Sequence, residues 1–174
     1  MNDPDERLER TWDGEPISPS PPYGATIVVY RRIDAAPEFL TLHRRHNGPK
    51  FAGDWAWGPP SGARYPHEPI VECAARELRE ETGLDLVLQP TEAGSADWSV
   101  FLAEAPVGAE IKLSEEHDRI AWLSLAEVIR QVAPDLVRAQ VVEAARSLTA
   151  ERYDPHLRSK TGGSDQGNME RERA

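Results

Sequence analysis

The stretch from Pro69 to Thr82 constrains this chain more than any other, because it reads as a helix with an acidic face beside an apolar one. Pro69 suits the first helical turn, where its missing N–H costs nothing, and Glu68 and Glu72 sit at the positive end of the helix dipole. Gly83 is placed to end the helix in a left-handed conformation. Glu77, Glu80 and Glu81 stand at i, i+3 and i+4, an arc of roughly 100° at about 100° per residue. Val71, Ala74, Ala75 and Leu78 fall on the neighbouring face and are expected to anchor it to a sheet. Like charges at this spacing weaken a helix by a few tenths of a kcal/mol, and no Lys stands beside them. Stacked carboxylates suit a hard divalent cation with oxygen ligands, and a solvated acidic face is the alternative that spacing alone leaves open. Arg76, next to Glu77 and four residues after Glu72, is placed to hold a carboxylate in a fixed rotamer.

The sequence around this helix predicts a single domain. Residues 1–22 hold five of the 15 prolines and no hydrophobic period, which predicts a poorly ordered arm, with Trp12 and Ile17 as its possible docking points. ATIVVYRR and FLTLHRR, separated by a turn at IDAAPE, read as strands. The Gly- and Pro-rich stretch from His46 to Glu68 reads as a long ordered loop. LDLVLQP, ADWSVFLAEAP and part of IKLSEEHDRIAWLSL are further strand candidates. Leu125–Val132 reads as a short helix. Pro134–Thr149 reads as a longer one, packed through Leu136, Val137, Val141, Ala144, Ala145 and Leu148. The order β-β-loop-α-β-β-β-α-α predicts an α/β (α+β) sandwich over residues 23–152, and the composition of residues 153–174 predicts a disordered tail.

Charge narrows the functional classes. The chain carries −10 overall, yet residues 31–67 are net +3 and residues 68–85 net −4, so a basic stretch leads directly into an acidic block. The overall acidity argues against broad nucleic-acid binding, which relies on Lys and Arg at phosphates. No apolar run approaches a membrane span, and the acidic N-terminus lacks the order of a secretion signal, so the expected address is cytoplasmic. The single cysteine, Cys73, rules out an internal disulfide and is expected to be a packed core residue.

Gly62, Glu68 and Arg76-Glu77-Leu78-Arg79-Glu80-Glu81-Thr82-Gly83-Leu84 together resemble the Nudix box, G-x5-E-x7-R-E-U-x-E-E-x-G-U with U aliphatic. All nine fixed positions match over 23 residues. The resemblance implies an α/β/α sandwich with a mixed sheet and hydrolysis of a nucleoside diphosphate derivative, a small phosphorylated nucleotide-type substrate. It implies that Glu80 and Glu81 bind Mg2+ (or Mn2+) directly and that Glu77 is a water-bridged ligand or the general base. Glu68 supports the helix end, Arg76 orients a box carboxylate, and Gly62 lets the backbone turn sharply and approach the metal. An acidic site can hold a pyrophosphate only through cations, which supply Lewis acidity and activate the attacking water.

Family members often add a Glu from a loop before a late strand, and SEEHDRIAWLSL resembles that segment. Glu116, in preference to Glu115, is the expected extra ligand or base, and His117 is expected to be a turn residue. Two positions depart from the usual pattern, Ser61 and His67, where glycines are common; neither replaces a carboxylate. Trp55 and Trp57 are candidates for stacking on a base, with core packing as the other reading. Arg44, Arg45, Lys50 and Arg64 are candidates for neutralising phosphate oxygens, with a solvated strand edge as theirs. The fold also hosts nucleotide-sensing domains without catalysis and isoprenyl-diphosphate isomerases. The sensors usually have a degraded box, and the isomerases need a catalytic cysteine and acids elsewhere. Many family members are dimers, so a homodimer is a further expectation of the resemblance.

Overall fold

A computed structural model of the protein describes residues 8–11, 14–46 and 48–150, with side chains to residue 148. Trp12 and the predicted tail lie outside the described residues. The elements in chain order are β1 (Gly24–Ile33), β2 (Ala36–Arg44), β3 (Trp57–Gly58), β4 (Ser61–Ala63), α1 (Ile70–Thr82), β5 (Gln89–Pro90), β6 (Trp98–Glu104), β7 (His117–Leu123), α2 (Leu125–Gln131) and α3 (Asp135–Ala150). β1 is the centre: it pairs antiparallel with β2 and β4 and parallel with β6. β2 pairs in turn with β3 and β7, and β6 with β5, all antiparallel. The β1–β2 turn places Asp34 and Ala35 at φ 47° and 67°, the paired left-handed conformation of a two-residue hairpin.

Strand alternation divides the core between two faces. Ala25, Ile27, Val29, Leu40 and Leu42 meet Cys73, Ala74 and Leu78 of α1 on one side. Val28, Tyr30, Phe39, Val100 and Leu102 meet Val128 of α2 and Val141, Ala144 and Leu148 of α3 on the other. This is the α/β/α sandwich with a mixed sheet that the sequence predicts.

Local expectations shift in instructive ways. Pro69 takes the N-cap position of α1 (φ −61°, ψ 140°), not the first helical turn, and Gly83 closes the helix at φ 71° with its N–H on Arg79 O. Val71 is 48% exposed, and Cys73 takes its place in the buried stripe. On α3, Leu136 is 66% exposed and outside the core. The predicted strand LDLVLQP shrinks to Gln89–Pro90. Leu84, Leu86 and Leu88 still pack against the α1-side core, because alternate apolar residues record which side is buried and not whether the backbone is paired. The His46–Glu68 loop contains two short strands, β3 and β4.

Part of the arm is attached. Ser18 N–H donates to Arg64 O at 2.7 Å, Arg64 N–H to Tyr23 O at 2.8 Å and Tyr23 N–H to Asp97 O at 2.7 Å. Ser18 is buried. Residues 18–23 therefore run beside the chain that leaves β4, which replaces the loose arm expected there.

Candidate active site

The acidic face of α1 is built against β4. A Cβ on Gly62 would stand 2.0–2.2 Å from the Glu77 carboxyl group, so only glycine leaves room for that carboxylate. Gly62 lies in a regular strand opposite Ala25 and not in the left-handed region, so close approach, not the expected sharp turn, explains it. Next to it, Ser61 N–H donates to Glu81 Oε2 at 3.2 Å. Glu77 and Glu81 are both buried, whereas the Glu80 side chain is more than half exposed.

Arg76 ties these groups together. Its Nε and Nη2 grip Glu68 Oε1 and Oε2 at 2.9 and 3.0 Å, a bidentate pair. Nη2 also donates to Ala63 O at 2.9 Å, and Nη1 to Glu77 Oε1 at 2.6 Å and Glu80 Oε2 at 3.2 Å. The guanidinium lies over the Tyr65 ring, 3.9 Å from its centroid. Burial opposes the charge on Arg76, but Glu68 and Glu77 more than compensate and hold it firmly protonated. Burial also opposes charge on Glu68, yet Arg76 and the Tyr65 N–H hold its carboxyl below the usual range.

The electrostatics of the remaining carboxylates run the other way. Burial, then the charge of Glu77, pushes Glu81 well above the ordinary carboxylate range; Glu116 adds to this, while Ser61 N–H and Arg44 oppose it. Burial also raises Glu77, with Glu80 and Glu116 adding and Arg76 opposing. The negative charge of Glu116 therefore opposes ionisation of both buried box carboxylates. Glu77, Glu80, Glu81 and Glu116 bring more negative charge than Arg76 and Arg44 offset there and offer only oxygen donors, which fits a hard divalent cation. Among the described residues no three Asp, Glu, His or Cys side chains already converge as a ligand cluster, and Arg76 holds both Glu77 and Glu80.

Two cavities open beside these groups. The inner one, about 450 Å³, is lined by Glu81, Ser61, Thr26, Trp57, Trp98 and Gln140, among others. The outer one, about 810 Å³, is lined by Arg44, Arg45, Phe51, Trp55, Glu115 and Glu116, among others. Arg44 and Trp55 line both. Trp55 is 51% exposed and holds φ 67°, a conformation that costs a bulky side chain about 1–2 kcal/mol, with its N–H on Ala133 O at 2.7 Å. Trp57 is half-buried, 4.9 Å from the His43 ring and beneath the Arg119 guanidinium.

Of the basic candidates, Arg44 and Arg45 reach a cavity, and Lys50 lines neither. Arg64 is turned elsewhere: its guanidinium donates to Pro22 O at 2.7 Å, Ser20 O at 2.6 Å and Glu68 O at 2.9 Å. It fastens the arm and lines neither cavity. His117 closes a turn, its N–H on Ser114 O at 3.3 Å, and opens β7; it is buried, and its ring shares a 3.3 Å hydrogen bond with Ser114 Oγ. Burial and Arg44 push its imidazole down to about 4, so it is neutral at physiological pH. Cys73 is fully buried and its thiol is pushed up to about 12, which leaves the isomerase alternative without a reactive cysteine.

Sequence reasoning missed two groups. His43, fully buried in β2, pairs with Asp118 at 2.6 Å and with Phe51 O at 2.8 Å, under Arg119. Gln140 interrupts the apolar face of α3 between Val137 and Val141, and that polar residue on a core-facing stripe is the signal that marks it.

The family profile described as NUDIX domain matches residues 21–145. The chain belongs to the Nudix family. This Nudix chain is 28% identical over 135 residues to the asymmetrical bis(5'-nucleosyl)-tetraphosphatase of Mus musculus, covering 63% of this chain and 92% of the mouse protein. The C. elegans Ap4A hydrolase, solved as a binary complex, is 25% identical with a TM-score of 0.59, over 73% of this chain and 97% of that one. The MutT protein of Methanosarcina mazei Go1 is 29% identical with a TM-score of 0.51, over 72% and 93% of the two chains. Membership places the chain among hydrolases of phosphorus acid anhydrides, and Nudix hydrolases generally use divalent metal ions. Among the described residues, no helix is long and apolar enough to cross a membrane.

Proposed function

We propose that this Nudix chain is a Mg2+-dependent hydrolase of dinucleoside polyphosphates of the Ap4A type, attacking phosphorus with water. The observation that carries the reading is the pair of cavities that share Arg44 and Trp55, one bounded by Glu81 and the other by Glu116. A substrate with two nucleoside ends and an anionic middle suits that arrangement, and the tetraphosphatase and Ap4A hydrolase relatives support it.

Glu81, Glu80 and Glu77 would provide the oxygen ligands for Mg2+ (or Mn2+), which when bound would supply Lewis acidity for the phosphate and activate water. Arg76, fixed by Glu68, positions Glu77 and Glu80. Glu116 takes the proton as water attacks; the P–O anhydride bond breaks and the leaving phosphate departs as an anion. Arg44 and Arg45 hold phosphate oxygens, and Trp55 offers a ring for stacking.

The test is a panel of Ap4A, ADP-ribose, a nucleotide sugar and a nucleoside triphosphate with Mg2+, run in 18O-water with products identified by mass. Ap4A is expected to be cleaved at least about tenfold faster than the others. EDTA should abolish turnover and Mg2+ restore it, and Glu81→Gln should lower kcat by about 100- to 1000-fold with the fold intact. Metal-independent turnover, or full activity in Glu81→Gln, would refute the mechanism; preference for another panel member would refute the substrate.

A further inference from the structure

The inner cavity contains a hydrogen-bond chain with no part in the anhydride chemistry. Trp98 Nε1, which can only donate, gives its hydrogen to Thr26 Oγ1 at 2.9 Å. Thr26 is almost fully buried, and its next partner is the side-chain amide of Gln140, with Oε1 at 3.0 Å. With the amide nitrogen turned toward Thr26, the hydroxyl would receive two donors and its own hydrogen would have no acceptor among the described residues. The direction of donation therefore runs Trp98 to Thr26 to Gln140 Oε1, and leaves Gln140 Nε2 with two uncommitted hydrogens. Among the described residues no buried side-chain nitrogen or oxygen lacks a partner, so this Nε2 is accessible, and Gln140 lines the cavity.

The cavity walls have the complementary character. Trp55 and Leu136, both mainly exposed, line it together with Trp57 and Val137. A volume of about 450 Å³ lies within the usual range for small-ligand sites, and apolar walls with a few fixed polar groups are the usual form of such a site. We propose that Gln140 reads the edge of a nucleobase in this cavity, donating from Nε2 to a ring nitrogen or carbonyl oxygen of the base. Thr26 is a positioning residue that holds the amide in this orientation. The proposal rests on the nucleotide reading given above and adds to it the group that recognises the base. It also accounts for Leu136, an apolar residue that the core does not take up.

The test uses calorimetric titration of the full chain with AMP and with ribose 5-phosphate, which keeps the sugar and phosphate but lacks the base. The wild-type chain should bind AMP more tightly than ribose 5-phosphate. Gln140→Glu keeps an acceptor for Thr26 but turns an acceptor toward the base. It should weaken AMP roughly tenfold and leave ribose 5-phosphate unchanged. Thr26→Val, which frees the amide to rotate, should weaken AMP by roughly threefold in the same selective way. Gln140→Met keeps side-chain length without any donor and carries the same measurement if the Glu variant does not fold. Unchanged AMP affinity in the Gln140 variants, equal loss of both ligands, or a wild type that does not distinguish them would overturn the proposal. The hydrolysis panel separates the two readings. Active hydrolysis with unaltered base selectivity refutes Gln140 alone, whereas a silent panel with selective AMP loss refutes hydrolysis and retains Gln140.

Discussion

Gly62 and Glu77 determine each other's position. The Glu77 carboxyl occupies the space where any other residue at 62 would place its Cβ. Gly62→Ala is therefore expected to displace Glu77 and lower kcat by about 100-fold, since a shift of about 1 Å at a reacting group has effects of that size. Steady-state rates against Mg2+ concentration would check this, with the metal requirement rising in parallel. An unaltered metal dependence would show that the position of Glu77 does not matter. At this scale the sequence marked Gly62 as a constrained position but not the reason for the constraint. The spacing from Arg76 to Glu81 puts Glu77, Glu80 and Glu81 on one helix, because helical geometry is local and regular. The reason for the glycine was not local, since it depends on a strand meeting a helix. The partners of Arg64 were hidden for the same cause: a guanidinium in a basic stretch looks available until the chain that accepts its hydrogen bonds is in place.

Among the elements, α1, β1, β2, β6, β7, α2 and α3 were legible because each carries its own period or turn chemistry. β3 and β4 were not, because two or three residues among prolines and glycines become strands only by pairing with β2 and β1. The pairing between Thr26 and Gln140 was equally hidden, as it joins β1 to α3, two elements far apart in the sequence. The attachment of residues 18–23 is a property of this scale too. Arg64→Ala should release Ser20 and Pro22 from β4, so that limited proteolysis cuts there faster, while kcat/KM changes less than about threefold. A large loss of kcat/KM with unchanged proteolysis would return Arg64 to the substrate site.

For the whole molecule, Cys73 is a probe placed between α1 and the sheet. Its thiol is pushed up to about 12 by burial first and then by the negative charge of Glu68. A thiol reagent at pH 8 should label the native chain at least about 1000-fold more slowly than the urea-unfolded chain, because reaction requires a large opening. The folded thiol resists an ionisation that the unfolded thiol undergoes from about pH 8.5. This group therefore withdraws stability as pH rises from there toward about 12, and a Cys73→Ala chain should lose less stability over the same alkaline range. Rapid labelling at pH 8 would show that α1 separates from the sheet while the rest stays folded.

The parallel pairing of β1 with β6 has a consequence for how the protein is made. Gly24 lies opposite Trp98 and Tyr30 opposite Glu104, so the central strand is complete on that side only after the whole of α1 has been synthesised. During translation the β1–β2 hairpin emerges early and waits with one edge of its ladder unpaired. Trp98 and then Gln140 arrive later still, from β6 and α3. The nascent chain therefore has its acidic helix before it has either the strand that closes the sheet or Gln140. Closing a contact so distant in sequence is the slow part of building such a topology, and it is the interval in which the exposed edge most needs protection.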